Sequence, residues 1–66
     1  MSVLKVIEIL ASSPTGWEDA AANAIAEASK SVKNIKSCYV KDHSAVVKDG
    51  KISEFRVNVK ITFKVE

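Results

Sequence analysis

The chain has 66 residues, a formal net charge of +2, 47% hydrophobic residues and one cysteine. A chain of that length buries only about 60% of the surface it exposes when unfolded. One thiol forms no internal disulfide and no Cys/His cluster offers a zinc site, so association with further copies is the remaining source of stability.

The apolar content excludes a disordered chain, and no stretch is long and apolar enough to cross a membrane. The opening MSVLKVIEIL lacks the basic region and small-residue cleavage site of a signal peptide, which with the unpaired thiol predicts a cytoplasmic protein. Lysines spread along the chain, without aromatics gathered beside them, predict no nucleic-acid partner.

Val3 to Ala11 is apolar on both faces apart from Lys5 and Glu8, as in a strand covered by a helix on one side and by something else on the other. Next, Pro14 ends regular structure, and Thr15 with Glu18 three residues later has the form of a capping box, which predicts a helix start. Trp17, Ala21, Ile25, Ala28 and Val32 then recur at intervals of four and three, making one apolar stripe with Trp17 as the plug at one end. Acidic residues in the first turn, Lys30 and Lys33 in the last and Asn34 as a left-handed stop complete the helix.

After Ile35 the period changes to two. Asp49-Gly50 between two alternating runs predicts a tight hairpin turn, which pairs Lys48 with Lys51, Val40 with Val59 and Cys38 with Ile61. In the last run Phe55, Val57, Val59, Ile61, Phe63 and Val65 share the core face. Glu54, Arg56, Asn58, Lys60, Thr62 and Lys64 share the other, opposite Ser37, Tyr39, Lys41 and His43. The fold class is α+β: a βαββ chain with a three-stranded antiparallel sheet against one helix, forming a single domain over 1–66. Strands of about 14 residues run to about 45 Å, whereas a helix of about 17 residues covers about 25 Å. The hairpin therefore overhangs its helix, leaving Phe63 and Val65 at one end and Val47 and Ile52 at the other in need of neighbours.

Asp42 falls opposite Val57 on the nominal core face, which points to a bend in the strand, a partner subunit or a cation. His43 points to the other face and reads as a surface or interface residue; the two cannot chelate one ion from one chain. Arg56 faces His43 with Glu54 beside it, either a cross-strand charge cluster or part of a ligand pocket. Cys38 reads as a small buried hydrophobe, and neither it nor the serines have the base that a nucleophile needs. No catalysis is predicted.

Taken together, the opening SVLKVIEILASSPTGWEDAAANAIAEASKSVKNI, the turn KDGKI and the close FRVNVKITFKVE resemble the dodecin family over essentially the whole chain. The resemblance implies a hollow homododecamer with cubic symmetry. It also implies a non-catalytic storage role in which pairs of riboflavin or FMN are held between subunits and the cell is protected from free flavin.

In flavin-binding members a Trp of the second strand stacks on the isoalloxazine and a Gln of the third hydrogen-bonds its edge. Those positions are Ser37 and Arg56 here. Serine has no π face, which removes on the order of 1 kcal/mol or more per stacked ring. Arg56 supplies a planar guanidinium and Tyr39 an aromatic ring on the same face. Asp42 matches an acidic position near the ligand and cation region. A subset of dodecin-like proteins with non-aromatic replacements is associated with calcium. The resemblance thus implies a flavin cage with Ser37, Arg56, Tyr39 and Asp42 at the ligand, or else a calcium-binding cage with Asp42 at the metal or a purely structural one.

Overall fold

The computed structural model describes residues 3–65. They form β1 (Val3–Ser13), α1 (Trp17–Ala28), β2 (Ile35–Lys48) and β3 (Lys51–Val65), in a sheet of order β1-β3-β2 whose neighbours are all antiparallel. β1 and β2 therefore run parallel, joined by the crossover helix, with a gap one strand wide between them that the returning hairpin fills. The turn is the one the dipeptide demands: Asp49 and Gly50 sit at φ 52° and 75°.

α1 lies over β1 and β3. The buried centre is Val57, Val59 and Ile61 from β3 against Ala20, Ala24 and Ala28 from α1, bordered by Ile7, Ile9, Ala11, Ala21, Ile25 and Ile35. The buried line of the helix is thus rotated from the expected stripe. Alanines at every fourth position let the helix backbone approach the sheet, and the bulkier Ile25 and Trp17 flank the contact. Trp17 still plugs one end of the core, with its ring in edge contact with Phe55 at a centroid distance of 4.8 Å. On β1, Ile7, Ile9 and Ala11 face the helix, while Leu4, Val6 and Leu10 on the other face are uncovered within one chain.

Both helix ends differ from expectation. The N-cap is Gly16 with no side-chain cap, so Thr15 and Glu18 form no capping box. The polar contacts are gathered instead by Ser13, 1% exposed, whose hydroxyl donates to Asp19 Oδ2 at 2.6 Å and accepts from the Thr15 N–H at 3.0 Å. The helix ends at Ala28 after 12 residues, so Lys30 and Lys33 lie beyond its last turn. Ser29 Oγ–H donates back to the Ile25 carbonyl at 2.7 Å, a local bond that competes with helix continuation. Asn34 does adopt the left-handed conformation, φ 64°, but as the last residue before β2.

Hydrogen bonds from Ser13 and then Thr15, with Asn23 adding and partial desolvation opposing, hold the Asp19 carboxyl below its ordinary value of 3.8. A depressed carboxyl stabilises the fold fully above its unfolded pKa and ceases to do so as pH falls through the folded value. Asp19→Asn is expected to flatten the fall in urea midpoint on acidification from about pH 6 to about pH 2. An unchanged acid limb would show that Ser13 and Asp19 are not coupled.

The overhang is present: the described residues extend over 51 × 20 × 13 Å, whereas a helix this short covers about 18 Å. Val47, Ile52 and Val65 are 66%, 50% and 37% exposed, as the length argument requires, whereas Phe63, expected to be bare with them, is half-buried. Cys38 is the exception. It pairs with Ile61 as expected, yet it is exposed, because α1 stops short of β2 and leaves that edge strand uncovered.

Candidate functional site

The hairpin register holds at Ser37–Thr62, Cys38–Ile61, Tyr39–Lys60 and Val40–Val59, then shifts by one between Val40 and Asp42 and shifts back between Val46 and Val47. From Asp42 to Val46 the observed partners therefore differ from those expected. Asp42 opposes Asn58 instead of Val57, His43 opposes Val57 instead of Arg56, and Arg56 lies between Ser44 and Ser12. The expected cluster of Arg56, His43 and Glu54 is not formed. In a straight ladder the Asp42 carboxylate would point at the apolar helix side. The extra residue, Lys41, turns it to the polar face and brings the His43 ring under Trp17, so of the three explanations for Asp42 the bend is the one observed.

Ser37, Tyr39, Asp42 and Arg56 consequently share the sheet face turned away from α1, but they do not converge. The partner of Ser37 is Thr62, six positions along β3 from Arg56, or about 20 Å. Tyr39 and Asp42, beside Lys60 and Asn58, lie between these two ends. In one chain the four residues form a strip and no pocket.

Glu8 of β1 ties this strip across all three strands. Its Oε2 accepts from Asn58 Nδ2 at 3.4 Å and lies 3.6 Å from Lys41 Nζ. Both charged partners are half exposed, so the ion pair contributes at most about 1 kcal/mol. Glu8 was legible in the sequence only as an interruption in an apolar strand. Asp42, Asn58 and Glu8 supply oxygen donors of the hard kind that calcium takes. Among the described residues no three His, Cys, Asp or Glu side chains stand together as a metal group, so one chain by itself falls short of a calcium shell.

On the helix side, Trp17 Nε1–H donates to the Ser44 carbonyl at 2.8 Å, and its ring meets His43 edge-on at 5.2 Å. Beside it opens an almost wholly apolar cleft of about 250 Å³ lined by Trp17, Glu18, Ala21, Val40, His43 and Val57. A shallower one of about 450 Å³ at the far end is bordered by Lys5, Lys33, Asn34, Phe63 and Lys64. Neither includes any of the four expected site residues. Sequence reasoning missed the Trp17–His43 contact because it depends on the register shift.

The fold is a split β-α-β subunit, three antiparallel strands against one helix, that carries polar groups along an open sheet face and leaves apolar residues bare at its edges. More particularly, the chain belongs to the dodecin family, whose model matches residues 3–66. It is 44% identical over 66 residues to the calcium dodecin of Mycobacterium tuberculosis, covering 98% of this chain and 92% of that one. A crystal structure of calcium dodecin from that organism, described as a calcium-chelating immunodominant antigen with a novel calcium-binding site, is 41% identical with a TM-score of 0.85, covering 98% and 93%. The dodecin of Streptomyces coelicolor superposes with a TM-score of 0.95 at 26% identity, covering 98% and 93%.

Proposed function

We propose that residues 1–66 form one non-catalytic dodecin-type domain that assembles into a cytoplasmic homododecamer, a hollow cage that binds and stores a small ligand, with neither nucleic acid nor membrane as partner. The carrying observation is the open strip of Ser37, Tyr39, Asp42 and Arg56. Its groups share one sheet face yet span too great a length for one small ligand, so further copies must close the site.

The geometry favours a cation as that ligand. The bulge turns Asp42 outward beside Asn58, which contacts Glu8, and the relative that is 44% identical is a calcium dodecin. A native state that binds calcium gains stability by mass action, about 2.7 kcal/mol at 100 times Kd. The test is light scattering to fix the assembly mass, followed by thermal melts with calcium and with a chelator. A shift upward with calcium that Asp42→Asn abolishes supports the cation site; coincident melts from an intact assembly reject it.

Flavin is the second reading, favoured by Tyr39, 65% exposed on the same face as Ser37 and Arg56. Ser37→Trp restores a stacking ring and is expected to tighten riboflavin binding, followed by fluorescence quenching, by about fivefold or more. If affinity is unchanged in the assembled variant, the missing ring is not what limits flavin binding here.

A further inference from the structure

One lysine lies on a carboxylate that a bound cation would use. We propose that Lys41 is a tethered competitor for the cation: its ammonium holds Glu8 in the cation-free protein and has to leave before Glu8 can coordinate, so that Lys41 sets how tightly calcium is bound. This role rests on the cation reading above and adds to it the residue that tunes the affinity.

The bulge in β2 brings the groups together. In a straight ladder consecutive residues point to opposite faces, so a lysine and an aspartate next to each other could not serve one site. Here Val40 pairs with Val59 and Asp42 with Asn58, and Lys41 is left over between them. It escapes the alternation and stands on the polar face with Asp42. From there its ammonium reaches past Asn58 of β3 to Glu8 of β1, where it lies 3.6 Å from Oε2. Asn58 Nδ2 donates to the same oxygen at 3.4 Å.

The face carries two carboxylates and two ammonium groups around Asn58, and they are not equivalent. Glu8 is paired with Lys41, whereas Asp42 and Lys60 take part in no ion pair among the described residues. Lys60 is nonetheless the direct cross-strand partner of Glu8, so adjacency in the ladder does not choose the partner; the extra residue in β2 does. Asp42 is thus open to an arriving cation and Glu8 is guarded. A calcium ion on Glu8 would stand about 4 Å from an ammonium on the same carboxylate, and like charges at that separation repel even in water. The Lys41 side chain is 48% exposed and that of Glu8 41%. The pair is therefore weak enough to break, and the flexible lysine stem can carry its charge into solvent when the ion arrives.

The experiment is a calcium titration by calorimetry on the assembled full chain, with the mass of every variant checked by light scattering. Lys41→Met keeps the stem and removes the charge, and is expected to tighten calcium binding by about fivefold, the factor that corresponds to the upper end for an exposed pair. Lys41→Arg keeps the pair and should stay within about twofold of wild type. Lys60→Met removes the same charge from the residue directly opposite Glu8 and should tighten binding by about twofold or less, through the screened field alone. In a Glu8→Gln background the advantage of Lys41→Met over Lys60→Met should disappear. Equal gains from Lys41→Met and Lys60→Met, or no gain from the first, overturn the competitor role while leaving the cation site standing. A chain that binds no calcium either as wild type or as Lys41→Met overturns both.

Discussion

Ile61→Ala is expected to cost about 2–5 kcal/mol of stability, because Ile61 is the largest fully buried side chain among the described residues. Ile61 is fully buried in the second half of β3, between Ile7 of β1 and Cys38 of β2, and packs in the cluster with the alanine line of α1. Deleting its outer atoms leaves a cavity that the sheet cannot close, because both neighbouring strands are held by their ladders. Small domains have total stabilities near the low end of about 5–15 kcal/mol, so the isolated chain should be largely unfolded. Ile61→Val, which keeps most of the volume, should cost about 0.5–1.5 kcal/mol. Urea titrations at fixed protein concentration read both, since association adds concentration-dependent stability. A loss below about 1 kcal/mol for the alanine variant would mean that helix–sheet packing is not what holds the fold.

Ser13→Ala should rank second, at about 1–3 kcal/mol for a buried hydroxyl. The substitution removes a donor to Asp19 and an acceptor for the Thr15 N–H, in a segment that has no other helix cap. It also separates two explanations. If Ser13 stabilises only by filling space, alanine in Asp19→Asn protein should cost as much as in wild type. If the hydrogen bond carries the effect, the double variant should be less destabilised than the sum of the singles.

The helix cap and the bulge are local rearrangements with consequences for the ligand face. Because Lys41 is inserted, β2 presents Tyr39 and Asp42 on one side and His43 on the other, and a polar residue reaches Trp17 without burying a charge. The same shift moves Arg56 away from His43 and leaves it among Ser12 and Ser44, free of a carboxylate partner among the described residues. That freedom suits a group whose partner is a ligand or another copy.

The element order, the turn at Asp49-Gly50, the two faces of β3 and the overhanging hairpin were all legible in the sequence. Each depends on a short-range property: the left-handed tolerance of Asp and Gly, strict alternation, and chain length per residue. So was the family, whose pattern runs the length of the chain. Tertiary structure alone decided the rotation of α1, because the sheet selects Ala20, Ala24 and Ala28 for close approach over a stripe equally allowed by helical spacing. It decided the exposure of Cys38, which turns on where the helix ends. It also decided the faces of Asp42 and His43: a one-residue bulge reverses every side chain beyond it, and the cost it relieves, a carboxylate against an apolar helix, exists only once the strands have paired.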